Sequence, residues 1–238
     1  MMNYYILTYS HETKEGMFIP SLNGKTVENK EEFFNNKKCT PRTFYDKDYE
    51  FDYLTPMEEG EVKEEPKLIA DFHMWIEEEP RRGLFFPISK KFKDILERYN
   101  QPEHRFYNAK VLFQKKKYSY FVWRVLSRKY EEYIDFDKTV YNNLSFSRKL
   151  LQEKLVIKQF RSDKEVRTYS KAEWDYDWNY ERLVMKPSFK DLDYCYVYKL
   201  GDGNIVSERL KTAIEEAGLT GIRFEPVPIP IEFSDEVE

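Results

Sequence analysis

Cysteine, histidine and glycine are all scarce in this chain. Its 238 residues include two cysteines, three histidines and eight glycines. Cys39 and Cys195 are too few and too far apart for a disulfide scaffold or a C-x-x-C zinc site, and read as reduced thiols. His11, His73 and His104 share no H-x-H or H-x-x-x-H spacing, so no single helix or strand presents two imidazoles to a metal. So little glycine excludes collagen-like repeats and Gly/Ser linkers. No apolar run approaches the roughly 18 residues of a membrane span. The N-terminus MMNYYILTYS has no Lys or Arg ahead of its short apolar run, so no secretory signal is expected and the expected compartment is the cytoplasm. There is no G-x-S-x-G and no P-loop. Gly201-Asp202-Gly203 lies between a strand and a helix, but Val206 stands where a dinucleotide turn has its third glycine. No enzyme, cofactor or metal site is expected.

Aromatic and charged residues are plentiful. Tyr (19) and Phe (18) dominate an apolar fraction of 41%, enough for a substantial core. The net charge is −4, which disfavours nucleic acid as a default partner.

The pattern predicts an α+β protein, mainly antiparallel sheet, with two principal helices in two related lobes. The expected lobes are residues 1–140 and 141–238. Strands are expected at Tyr4–Tyr9, Tyr49–Leu54, Leu68–Ile76, Trp174–Tyr180, Tyr194–Leu200 and Ile222–Ile231. A short helix is expected near Glu31–Phe34. A hairpin is expected from Tyr107 to Leu126, with Lys115–Lys117 at its tip. Leu144–Phe160 fits a helix running into a strand. The clearest helix spans 89–99: Ser89 caps it, and Ile88, Phe92, Ile95, Leu96 and Tyr99 form one apolar stripe. Asn100 is expected to stop it in the left-handed region. A second helix spans 207–217 and ends at Gly218.

These two helices match at a constant offset of 118 residues without a gap. Ser89 matches Ser207, Asn100 matches Gly218, and the five stripe positions are apolar or small in both. Identities fall at Ser89, Lys93, Glu97, Arg105 and Phe106. Either the chain holds two similar halves, or any helix–turn–strand unit looks like this.

Four D-x-D pairs occur, at Asp46/Asp48, Asp135/Asp137, Asp175/Asp177 and Asp191/Asp193. A polar strand face explains them as well as a divalent metal does. Charge is segregated more sharply. Asp46–Glu79 holds thirteen acids and three lysines, whereas Pro80–Tyr130 holds fourteen Lys/Arg and three acids. The basic side, with Lys115–Lys117, Arg124, Arg128 and Lys129 near Tyr118, Tyr120 and Trp123, keeps a nucleic-acid accessory open as an alternative to a protein-binding or regulatory module.

The ending NIVSERLKTAIEEAGLTGIRFEPV, Asn204–Val227, resembles that of a family of immunity proteins from bacterial polymorphic toxin systems. Those chains close on a V/I-S-x-x-L helix, a glycine stop and a TGIRF-x-P strand. The segment PISKKFKDILE and the acidic stretch Asp135–Asp137 resemble the family's central part. The resemblance implies a protein that binds a cognate toxin domain tightly and blocks it without catalysis. Expected cytoplasmic residence suits a toxin acting there, and a net-acidic antidote suits a basic nuclease. Carboxylates imitate the phosphates such an enzyme accepts. The partner-binding surface is therefore expected at Glu58, Glu59, Glu61, Glu64 and Glu65, with Tyr49 and Tyr53 as aromatic anchors. The competing reading of EEGEVKEEP is a solvated linker.

Overall fold

In the computed structural model, residues 3–10, 12–13, 16–17, 21–23, 43–44, 49–56, 69–76, 84–143, 155–172 and 178–236 are described. The chain is α+β and mostly strand. The largest sheet runs β6 (Met74–Ile76), β4 (Ser21–Asn23), β5 (Phe51–Pro56), β8 (His104–Phe113), β9 (Lys116–Val125), β7 (Leu84–Ser89). It is mixed, because β5 runs parallel to β8 and β4 parallel to β6. Phe72 bridges Ile88 on β7 just before the chain enters β6, so the order of strands returns on itself. A second, antiparallel sheet runs β13 (Tyr194–Tyr196), β14 (Asn204–Ser207), β1 (Tyr4–Tyr9), β15 (Ile222–Pro226). A third runs β11 (Ile157–Lys158), β10 (Val140–Asn142), β12 (Asn179–Met185), β16 (Ile231–Phe233), with β16 parallel to β12. Two-residue strands β2 (Glu12–Thr13) and β3 (Gly16–Met17) pair with each other.

Three helices are described: α1 (Lys90–Leu96), α2 (Asp163–Ala172) and α3 (Glu208–Glu216). The expectation of two omits α2. Ser162 caps it, accepting from the Glu165 N–H, while the Glu165 carboxylate accepts from the Arg161 N–H.

Period-two burial aims alternate side chains of β8 into one core. Tyr107, Ala109 and Val111 join Phe51, Leu54, Tyr120 and Val122 there. The other face, with Phe86, Ile88, Trp123 and Val125, meets α1 through Phe92, Ile95 and Leu96. The same core takes Leu7, Tyr194 and Val206 from the second sheet and Leu210 and Ile214 from α3. Behind β1, the residues Tyr4, Ile6 and Ile205 pack on Leu183, Met185 and Phe233 of the third sheet.

α1 and α3 occupy equivalent surroundings. β7 and β8 both flank β9 antiparallel, so β7–α1–β8 crosses over a central strand. β14–α3–β15 crosses over β1 in the same way. The registers agree: Ser89 faces Tyr120 where Ser207 faces Tyr4, and His104 faces Val125 where Ile222 faces Tyr9. The central strands differ in chain order, since β9 follows its unit and β1 precedes its own.

The side chains repeat as well. Ser89 accepts from the Phe92 N–H and Ser207 from the Leu210 N–H. Lys93 lies over the rings of Phe106 and Phe121 and pairs with Glu97. Lys211 lies over Phe224 and Tyr5 and pairs with Glu215. Buried Tyr120 and Tyr4 each donate to a backbone carbonyl, of Ala70 and Phe189 respectively.

Several expectations need correction. α1 ends at Leu96 with Glu97 as its cap, and Asn100 does not take positive φ. Its N–H and C=O are held instead by Asp193 and Tyr194. Gly218, at φ +60, does stop α3. The hairpin tip is Gln114-Lys115, both at positive φ, so Lys116 and Lys117 belong to β9. Residues 222–231 supply two strands in different sheets. Of the strand expected at Trp174–Tyr180, residues 174–177 lie outside the described set, and β12 begins at Asn179. Glu31–Phe34 and 144–154 also lie outside it. β10 spans residue 140, and β1 lies between β14 and β15.

Candidate functional site

Of the expected partner surface, Glu58, Glu59, Glu61, Glu64 and Glu65 lie outside the described residues. Tyr49 is buried in the core beside Phe51 and Leu54. Tyr53 is half-buried on β5, with the Lys117 ammonium 4.7 Å from its ring centre. Asp52 next to it accepts from Lys117 at 2.8 Å and lies 3.5 Å from Lys110. The Lys117 bond, more than any other interaction, holds its carboxyl below the usual range. Among the described residues, the acidic stretch thus meets the basic one at Asp52, between Lys110 and Lys117.

The cationic surface expected around the hairpin does not assemble as one patch. Arg124 is fully buried, donating to the Thr43 carbonyl and lying near the rings of Phe44 and Phe85. Lys129 pairs with Glu132. Of the D-x-D pairs, Asp46/Asp48 and Asp175/Asp177 lie outside the described residues. Asp193 is buried, and its neighbour Asp191 offers a backbone carbonyl to Asn100 Nδ2.

The geometry is most concentrated where the two crossover units meet. In the first unit, Asp71 accepts the Ser89 hydroxyl on Oδ1 at 2.5 Å, and its C=O takes the Ser89 N–H. Its Oδ2 reaches across to the turn after α3, accepting the N–H and hydroxyl of Thr220. In the second unit, Asp193 accepts the Ser207 hydroxyl on Oδ1 at 2.7 Å, and its C=O takes the Ser207 N–H. Its Oδ2 reaches the turn after α1, accepting the Asn100 N–H at 2.9 Å. Each aspartate thus orients the serine that caps its own helix and holds the chain leaving the other helix.

Only the second junction carries a guanidinium. Arg209 Nε and one Nη lie 2.9 and 2.7 Å from the two carboxylate oxygens of Asp193. Burial alone would raise the Asp193 pKa, but the bonds from Arg209, Ser207 and Asn100 outweigh it and the carboxyl is lowered. Beside this pair opens a cleft of about 390 Å³ lined by Arg98, Tyr99, Asn100, Asp193 and Arg209. The Arg209 guanidinium stands 5.9 Å from the Tyr99 ring centre and is 63% exposed. Tyr99 was expected only as the last position of the apolar stripe, and neither Arg98 nor Arg209 stood out in the sequence. The serine caps, legible from the sequence, were the only signal leading towards them.

No described helix is long and apolar enough to cross a membrane. Among the described residues, no three His, Cys, Asp or Glu side chains converge as a metal site requires. No family profile matches the chain, and no curated protein matches it.

Proposed function

We propose that the chain is an immunity protein that binds a cognate toxin domain and neutralises it by direct association, without catalysis, in the cytoplasm. One observation carries the reading. The stretch whose sequence resembles the immunity-family ending, Asn204–Val227, is one continuous unit here: strand β14, the Ser207-capped helix α3, the Gly218 stop and strand β15. Its last strand is the edge of its sheet.

The two crossover units are two related lobes of one ancestral element. The match in cap, register and Lys–Glu pairing supports this reading. Each lobe has one principal helix, α1 or α3.

A basic, nuclease-like toxin remains the partner of choice. The contact surface is the acidic stretch bearing Glu58, Glu59, Glu61, Glu64 and Glu65, next to Tyr53. If the gene immediately upstream encodes a large secreted protein with a toxin domain at its C-terminus, co-expression with that domain should restore growth and yield a co-purifying complex. Reversing the five glutamates to Lys should slow association, and the loss should shrink as salt is raised. No complex with wild-type protein sinks the immunity reading. Unchanged association of the reversed variant at low salt sinks only the acidic surface.

A further inference from the structure

We infer that the cleft between α1 and α3 is a binding site for a small oxyanion, a carboxylate or phosphoryl group, gripped by Arg98 and Arg209. This goes beyond neutralisation of a partner and does not depend on it.

The two junctions act as an internal comparison. Each residue lining the cleft has a counterpart in the other unit: Glu216 for Arg98, Ala217 for Tyr99, Gly218 for Asn100, Asp71 for Asp193 and Lys91 for Arg209. Residues that hold the fold together are the same in both units: the capping serine, the aspartate behind it, the lysine over two rings and the glutamate paired with that lysine. Residues facing the opening differ, and they differ in one direction. An acid, a methyl group and a glycine on one side become a cation, an aromatic ring and an amide on the other.

The change also frees the opening. On the counterpart side, Lys91 donates to the Ala217 carbonyl at the end of α3, and its charge is used there. Arg209 instead turns inward to Asp193, side-on, through Nε and one Nη. Its other Nη keeps two N–H donors, and most of the side chain faces solvent. Arg98 uses its Nε on the Asp94 carbonyl at 3.1 Å and forms no ion pair with any described residue, so its Nη donors also remain.

Charge decides what fits. Asp193 has both oxygens occupied, Oδ1 by Ser207 and Arg209, Oδ2 by Asn100 and Arg209. Two guanidiniums against one committed carboxylate leave a positive cleft. Guanidinium forks match carboxylate and phosphoryl oxygens, and the Tyr99 ring forms one wall against which a flat group can lie. The counterpart side, with two acids and one lysine, offers an anion nothing.

The test is titration of the full chain with inorganic phosphate and, separately, with acetate, followed by the backbone amide NMR signals of Tyr99, Asn100 and Arg209. Chloride at matched ionic strength is the reference. Saturable shifts in the millimolar range with phosphate identify a phosphoryl ligand, and with acetate alone a carboxylate. Arg98→Gln, at an exposed position that makes one backbone bond, should weaken binding at least ten-fold while leaving the thermal midpoint unchanged. Lys91→Gln, at the counterpart position, should leave binding unaltered. If neither anion exceeds chloride, or if Arg98→Gln binds like the parent, the site is overturned.

Discussion

Asp71 and Asp193 do the same two things in opposite directions: each orients the capping serine of its own helix and grips the chain that leaves the other helix. The two units are therefore tied by reciprocal polar bonds around one apolar core, within which Tyr9 stacks on Phe72 at 4.7 Å and Trp123 lies 4.5 Å from Tyr194.

Removing either aspartate should loosen both helices. Asp193→Ala orphans the buried Ser207 hydroxyl, at about 1–3 kcal/mol, and releases the Asn100 N–H, which belongs to an exposed residue. The second unit should also show acid sensitivity of its own. The Asp193 pKa is lowered in the folded state, so its contribution is present above the unfolded value, about 3.9, and lost as pH falls through the depressed folded value. The thermal midpoint of the parent should fall between pH 6 and pH 3 more steeply than that of Asp193→Asn. Equal slopes would show that this carboxylate is not the titrating group.

Leu96 and Ile214 fill matching places in the shared core, each about 1% exposed. Truncating either to Ala should cost about 2–5 kcal/mol in urea unfolding. Because both side chains lie in one cluster, the double variant should depart from additivity. A stable Leu96→Ala protein that has lost its partner would place this stripe at an interface instead.

Two glycines should respond differently to alanine. Gly218, at φ +60, has open space where a Cβ would go, so only the left-handed backbone is penalised, by about 1–2 kcal/mol. Gly221, at φ +75, would bring a Cβ to 2.5 Å from Ala70 Cβ and 2.7 Å from the Phe72 carbonyl. That contact lies on the seam between the units, where neither neighbour is a flexible side-chain end. Gly221→Ala should be clearly the worse of the two by denaturant midpoint; parity would mean the seam yields easily.

Much of the first unit was legible because its signals are local. A serine before an apolar stripe, and a lysine and glutamate one turn apart, can be read directly and compared at a fixed offset. The junctions were not legible. Asp71 and Asp193 fall outside the gapless frame that aligns the helices, and the matching central strands occur in opposite chain order, so a comparison that only slides the sequence cannot find them. Asn100 looked like a left-handed stop because the bonds that hold it come from Asp193 and Tyr194, far along the chain. Helix α2 went unread although Ser162 caps it and the Glu165 carboxylate accepts from the Arg161 N–H just ahead of that cap. Tyr49 and Tyr53 share one alternating stretch of sequence, but Tyr49 lies ahead of β5 and is buried, whereas Tyr53 is on β5 beneath a lysine that the sequence assigned to a hairpin tip.

The position of β1 sets when the second sheet can form. It leaves the ribosome well ahead of its partners β14 and β15. At synthesis rates of about 5–20 residues per second, it waits roughly ten to forty seconds for them. Until then the nascent chain has no second sheet and no Asp193 junction, so a translation product cut short before Asn204 cannot resemble the finished fold in its second half. Assembly of that half therefore waits on synthesis through β15.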